Sequence, residues 1–344
     1  MAVAAGCDVG GANLKVALAD GNRIVAVQQI PCPLWQGLDR LEAAFAAARP
    51  LTARAGLHAA TMTAELCELF PDRKTGVITL IDRLQFILGP DLSIWMGPRG
   101  LGSVQEARVD PVSVASTNFL ASAAVIARHR GDALLIDFGS TTTDIIPIVG
   151  GAPVPRGLTD GDRLTTGELV YTGLTRTDIT SVTHKAPLHG HTHRLAAGGF
   201  ATMADVRRIL GALPDGVDQH ATADGRGTSL EESLARFARC FGRDRLDASL
   251  EDWRTAAHIV ADRQMAEITA AVAEVLAATP IPQDAPVIAA GIGAGLIAPL
   301  AADMGRPCRL FGDLIEAADD ECRLWATRCA PAAAVALLAS HSAG

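Results

Sequence analysis

Two stretches of the chain repeat one pattern of apolar and polar positions. Residues 133–149, ALLIDFGSTTTDIIPIV, read as an apolar strand ending on Asp137, a hydroxyl-rich turn over 138–142, and a second apolar strand. A short run with no polar face is expected where both sides of a strand are covered. Residues 7–21, CDVGGANLKVALADG, repeat the design. Asp8, Gly10, Gly11, Lys15 and Gly21 match Asp137, Gly139, Ser140, Asp144 and Gly150 at one constant offset. One such hairpin is a weak signal; two in register predict a duplicated pair of units. A third apolar element, 286–300 (PVIAAGIGAGLIAPL), reads as a buried strand, a turn bearing Gly291, Gly293 and Gly295, and a helix start.

Between these elements the periodicity changes. The Asp20-Gly21-Asn22 turn predicts a third strand over 23–30. Apolar residues at helical spacing predict helices over 36–49, 112–130, 202–211, 229–241, 250–278 and 330–340, with a short helix and turn over 166–176. Strands are expected over 56–63, 93–96 and 308–311, and a short helix over 64–70. Residues 76–88 carry both strand and helix signals, and 184–194, HKAPLHGHTHR, reads as a polar loop. A boundary near Gly131 divides the chain into a first domain, 1–130, and a second, 131–329, with a loop and helical insertion at about 160–285. A C-terminal helix, 330–344, is expected to pack back on the first domain.

Composition narrows the function classes. The chain has 344 residues, 49% of them apolar but only 4% aromatic, so a sizeable core must be built of Ala, Val, Leu and Ile. A net charge of −8 argues against a nucleic-acid partner. The seven cysteines are irregularly spaced without a CxxC, the pattern of a reduced, cytoplasmic protein. No charged segment precedes an apolar one at the start, and the most apolar window, 287–302, carries three glycines and Pro299, so no membrane partner is expected. Homo-oligomerisation is left open.

The candidate chemistry sits in the repeated turns. A glycine lets backbone approach a ligand closely, and hydroxyls beside free turn N–H groups cradle phosphate oxygens. Gly10, Gly11 and Asn13 in the first turn, and Gly139, Ser140, Thr141 and Thr142 in the second, are the candidate binding residues. Asp8 and Asp137 at the strand ends can hold a hydrated Mg²⁺. Lys15 is one of only three lysines, which favours a phosphate contact over generic surface charge. Asp144 occupies its slot with the opposite sign and is suited to orienting a water, an acceptor hydroxyl or Mg²⁺. Glu65, in MTAEL, is either a first-turn helix acid or a catalytic group. Gly291, Gly293 and Gly295 offer bare backbone for an anion or a flat ring. His184, His189, His191 and His193 invite a zinc reading, yet no Cys or Glu lies near, so a solvated loop or lid is preferred. Arg176 and Arg226 either clamp an anionic substrate or pair with Asp178 and Asp224.

Asp-x-Gly-Gly near the start, Asp-x-Gly-Ser-Thr-Thr in the middle and Gly-x-Gly-x-Gly late is the order of the phosphate-1, phosphate-2 and adenosine motifs. It resembles the superfamily of acetate and sugar kinases, Hsp70 and actin. The resemblance implies an α/β chain of two ribonuclease-H-like domains around a central cleft, with ATP as one cofactor it accommodates. More closely, DVGGANLK (8–15), TMTAEL (61–66), IDFGSTTTDIIPI (136–148), GELVYTGLTRT (167–177), ADGR (223–226) and AAGIGAGL (289–296) resemble hydantoinase/oxoprolinase-related proteins linked to tetrahydromethanopterin C1 transfer. That family implies a transferase of methanofuran or methylofuran biosynthesis. It would join an (aminomethyl)furanylmethyl diphosphate to the phenol oxygen of a tyramine-type acceptor with loss of diphosphate. Rival expectations are an ATP-dependent small-molecule kinase and a nucleotide-gated binding protein.

Overall fold

The structure, a computed structural model, describes residues 3–342; residues 1–2 of the expected first domain and 343–344 of the expected C-terminal helix lie outside this range. The first part of the chain runs β1 (Val3–Val9), β2 (Asn13–Asp20), β3 (Arg23–Pro31), α1 (Asp39–Thr52), β4 (Leu57–Met62), α2 (Arg73–Leu88), β5 (Ser93–Trp95), β6 (Leu101–Ser103), α3 (Val104–Val109) and α4 (Asn118–His129). β1, β2 and β3 form an antiparallel meander; β4 then pairs parallel to β1, and β5 parallel to β4. β1 is buried along nearly its whole length, as its apolar run requires.

The second part repeats the plan with β7 (Ala133–Phe138), β8 (Thr143–Val149) and β9 (Ala152–Pro153) as its meander. There follow α5 (Asp160–Thr166), β10 (Leu169–Val170), α6 (Ile179–Val182), β11 (Lys185–Leu188), β12 (His191–Arg194), α7 (Met203–Ile209), α8 (Leu230–Cys240) and α9 (Leu250–Ala278). β13 (Val287–Ala290), α10 (Ile297–Asp303) and β14 (Cys308–Leu310) close the sheet, and β15 (Glu316–Ala317), α11 (Asp320–Arg328) and α12 (Ala330–Ser342) end the chain. β13 pairs parallel to β7, and β14 parallel to β13, while β9 and β10 share the outer edge of β8. Each sheet is therefore an antiparallel meander continued by parallel strands, the ribonuclease-H-like order. This is the α/β fold class of acetate and sugar kinases, Hsp70 and actin, with two such sheets around a cleft.

Between the sheets lies one shared apolar core. It joins Ala4, Ala17 and Ile24 of the first sheet to Leu135, Ile146 and Ile288 of the second through α4 and α12. Every residue of α12 from Ala330 to Ser340 is buried, as a helix apolar on all faces must be. Its alanines admit very close approach. A Cβ added at Gly6 in β1 would stand 2.3 Å from the Ala332 carbonyl oxygen and 2.4 Å from the Ala336 nitrogen. The return to the first sheet begins before residue 330: β15 already pairs with β3, and α11 packs on it. The segment between β9 and β13 builds its own core, where Phe237, Phe241 and Trp253 meet edge-to-face.

Three local expectations are corrected. No helix forms over 64–70: the helix starts at Arg73, where the Asp72 carboxylate accepts from the Thr75 N–H at 2.8 Å. Pro71 and that cap together place the start there, and Leu66 and Leu69, which a core-facing helix would bury, stay exposed. The helix expected from 112 starts at Asn118, because Ser116 takes a left-handed conformation at φ 51°. The polar 184–194 segment is a hairpin, β11 paired antiparallel with β12, turning at His189 and Gly190, both with positive φ.

Candidate active site

The two repeated turns close alike. The Gly10 N–H donates to the Asn13 carbonyl at 3.0 Å, and the Gly139 N–H to the Thr142 carbonyl at 2.9 Å. In both a Cβ on the glycine would stand 3.1 Å from that same carbonyl oxygen. The second turn is braced from behind: the Leu174 N–H donates to the Gly139 carbonyl and the Arg176 N–H to the Ser140 carbonyl, both at 2.9 Å. Gly173 lies so close beneath that a Cβ there would come within 2.3 Å of the Ser140 carbonyl carbon and the Thr141 nitrogen. The turns face each other across one cleft of about 670 Å³, lined by Asp8, Gly10, Gly11, Asn13 and Lys15 from one side. Asp137, Gly139, Ser140, Thr141, Thr142 and Asp144 line the other.

Strand register sets the charges on the cleft floor. Asp8 lies opposite Lys15 across β1 and β2, and Asp137 opposite Asp144 across β7 and β8. The first pair attracts, with Lys15 Nζ 3.3 Å from Asp8 Oδ2. The second pair is of like charge, which a directly opposed sheet position disfavours. Buried Arg163 of α5 relieves it by donating to Asp144, and its guanidinium also pairs with Asp160 at 3.1 Å and lies 3.9 Å over the Phe119 ring. Burial pushes the Asp144 carboxyl up from its ordinary value, against the pull of Arg163. The Asp137 carboxyl receives no hydrogen bond from any described residue; burial first, then Asp144, raises its pKa from 3.8 to about 7. On the other side Asn118, in the first turn of α4, reaches Asp8 Oδ1 at 3.5 Å.

Glu65 does not line the cleft. Its carboxyl is fully buried behind the wall, where Ser116 Oγ bonds to it and also lies 3.2 Å from Asp160 Oδ2. Desolvation raises the Glu65 pKa from 4.5 to about 7. Ser116 and Asp160 are the members of this chain of contacts that reach the cleft. Gly291, Gly293 and Gly295 also stand outside the lining. A Cβ at Gly291, where φ is 82°, would meet Phe138 O at 2.3 Å and Asp137 Oδ1 at 2.4 Å; one at Gly293 would meet the Phe138 ring at 2.4 Å. Two of the three glycines therefore seat the end of β7, and with it Asp137.

The arginine alternatives resolve differently. Asp178 caps α6 and Arg226 lies exposed, its backbone N–H on Asp224, while Asp224 pairs with Arg236 and Arg239. Arg176 lines the cleft with its guanidinium 4.9 Å over the Trp35 ring. In the His-rich hairpin, His193 meets the Phe241 ring edge-on and His189 lies 3.8 Å from Asp252. Among the described residues no three His, Cys, Asp or Glu side chains gather as a metal cage, and none of the cysteines is disulfide-bonded. Mg²⁺ needs no such cage, since it keeps waters and takes one or two carboxylates with substrate phosphates. An unpartnered buried carboxyl at Asp137 beside Asp8 fits that requirement.

Trp35, Ser116, Asp160 and Arg163 join the cleft without a motif to announce them, and Tyr171 joins it from the GELVYTGLTRT stretch. Leu66, Leu164 and Tyr171 form an exposed apolar rim above the charged floor. No helix among the described residues is long and apolar enough to cross a membrane.

Comparison with known proteins agrees with this architecture. The (4-{4-[2-(gamma-L-glutamylamino)ethyl]phenoxymethyl}furan-2-yl)methanamine synthase of Methanocaldococcus jannaschii is 32% identical over 241 residues, 70% of this chain and 72% of the relative. The synthase of the same name from Methanococcus vannielii is 32% identical over 111 residues, 32% of this chain and 50% of the relative. Among solved structures, nucleotide-free acetone carboxylase superposes with a TM-score of 0.58 at 11% identity, covering 89% of this chain and 68% of that one, a likeness of fold alone. The hydantoinase/oxoprolinase family model matches residues 57–311, from β4 to the end of β14. The chain belongs to the hydantoinase/oxoprolinase family.

Proposed function

We propose that the chain is an alkyl transferase of methanofuran or methylofuran biosynthesis. It condenses an (aminomethyl)furanylmethyl diphosphate with the phenol oxygen of a glutamyl-tyramine acceptor and releases diphosphate. The observation that supports this reading is a single cleft with two glycine-closed turns and a charged floor beneath a rim of Leu66, Leu164, Tyr171 and Trp35. Such a cleft suits a ligand with an anionic end and a flat ring better than a wholly polar one. The relatives named above carry the furan, ether and glutamyl-tyramine parts in their names.

The reaction breaks the bond between the furanylmethyl carbon and the diphosphate oxygen and makes one from that carbon to the phenol oxygen. Negative charge grows on the leaving group and positive charge on the carbon, where the furan ring delocalises it. Lys15 and the N–H groups of the turns between Gly10 and Asn13, and between Gly139 and Thr142, face the first charge. Asp8 and Asp137 would hold Mg²⁺, which when bound supplies further neutralisation of the diphosphate. Asp144, which lines the cleft and accepts from Arg163, would take the phenol proton in this reading. Glu65, behind the wall, acts through Ser116 as a positioning residue.

An ATP-dependent kinase would use the same phosphate turns. The transferase reading is preferred because Gly291 and Gly293 pack against Asp137 and Phe138 while Gly295 is exposed, and none of the three lines the cleft. Purified protein with Mg²⁺, the furan diphosphate and glutamyl-tyramine is expected to yield diphosphate and ether in equal amounts. Absence of both products, with ATP turnover on a furan alcohol instead, sinks the transferase in favour of the kinase.

A further inference from the structure

Beside the reaction cleft lies a second cavity of about 340 Å³, between the Pro31–Gln36 segment and the 202–223 region of the long insertion. The two spaces share two residues, Trp35 and Arg176. We propose that this side cavity receives the carboxylate-bearing tail of the acceptor, with the Arg176 guanidinium as its anchor. The inference rests on the transferase reading for what enters the main cleft.

The charge inventory of the cavity wall leads to Arg176. The wall's other guanidinium, Arg208, is neutralised by Asp205 and Asp218. Arg176 has no carboxylate within ion-pair distance among the described residues; Glu68 and Tyr171 are its nearest acidic neighbours in electrostatic terms. Burial disfavours its charged form, so a ligand carboxylate entering here meets a desolvated cation with no competing partner. A guanidinium stacked on an indole keeps its N–H edge free for two parallel bonds to a carboxylate.

The position of Arg176 links the tail to the chemistry. Its backbone N–H donates to the Ser140 carbonyl at 2.9 Å, so the anchor is built on the turn that cradles phosphate. From the other side, the His220 ring lies 3.1 Å (Nε2) from Asn13 Oδ1 of the first turn, and its centroid lies 6.3 Å from that of Trp35. Burial and Arg176 both push the His220 pKa down, so the ring is neutral and does not compete as a cation. A tail held at Arg176 would therefore fix the phenol end in register with both turns. Glutamyl-tyramine carries such a carboxylate at the end remote from its phenol.

The test compares γ-glutamyl-tyramine with 4-aminobutanoyl-tyramine, which differs only by the α-carboxylate. Wild-type protein is expected to favour the first in kcat/KM and in calorimetric affinity by about tenfold to a hundredfold, the usual range for a hydrogen bond to a charged group. In Arg176→Gln the preference collapses toward unity, and Arg176→Lys retains part of it; thermal melts establish that both variants fold. Equal binding of the two acceptors by wild-type protein, or a preference unchanged in Arg176→Gln, overturns the assignment. Calorimetry also separates the two readings. A carboxylate preference in binding without diphosphate release would refute the transferase and support the cavity assignment.

Discussion

At the residue scale, the same hairpin carries opposite chemistry in its two copies. Lys15 and Asp144 occupy equivalent cross-strand positions opposite Asp8 and Asp137. The first copy is neutralised internally; the second needs Arg163 from another element. The Asp137 carboxyl is left without a hydrogen-bond donor among the described residues, and Gly291 presses against it at a distance no Cβ tolerates. Gly291→Ala is therefore expected to displace Asp137 and to cut diphosphate release by about tenfold or more, an effect of over about 1.4 kcal/mol on the barrier. Full activity in that variant would break the link between Gly291 and Asp137.

Glu65 gives a pH prediction at the same scale. Its folded pKa of about 7 lies above the ordinary 4.5. The native protein holds the proton longer than the unfolded chain does, so this contribution to stability is complete below pH 4.5. It declines as pH rises toward 7 and is lost above it. Gln at this position stays neutral throughout. Each pH unit crossed between the unfolded and folded pKa values removes about 1.36 kcal/mol from the wild type. The stability of Glu65→Gln relative to wild type should thus rise by about 3 kcal/mol between about pH 4.5 and about pH 8. Urea unfolding at several pH values checks this, and parallel stability curves for the two proteins would contradict it.

At the element scale, α12 decides how the halves meet. An alanine-rich helix buried on every face brings its backbone onto β1 at Gly6, where a side chain has no room. Gly6→Ala should destabilise the protein by about 1–3 kcal/mol, the usual cost of overpacking, with a lowered denaturant midpoint as the readout. An unchanged midpoint would mean that α12 can step away from the sheet. The α-helical pattern of 330–340 is plain in the sequence. The short strand β15 is not, because two paired residues make no periodic signal. The 184–194 segment shows the same limit: β11 buries only Ala186 and Leu188, and β12 lies largely exposed with its histidines, so neither short strand carries a long alternating pattern.

At the scale of the whole molecule, function depends on the two sheets presenting their turns to one cleft. A ligand that bridges both turns stabilises the folded chain by mass action, by about 2.7 kcal/mol at about a hundred times Kd. Diphosphate with Mg²⁺ is therefore expected to raise Tm by several degrees in wild type and by much less in Asp8→Asn, Asp137→Asn or the double variant. A shift unaltered in the double variant would place diphosphate elsewhere.

The sequence by itself determined the duplicated strand–turn–strand units, the carboxylate at each strand end and the glycine that closes each turn. These are local matters, set by an apolar run, a tight turn and the residue between them. The tertiary structure alone decided what each of those groups faces. It put Glu65 behind the wall, turned Gly291 and Gly293 toward Phe138 rather than the cleft, and brought Arg163, Trp35 and Arg176 to the site from distant segments. Burial and pairing are sums over neighbours remote in the chain, and no spacing along one segment contains them.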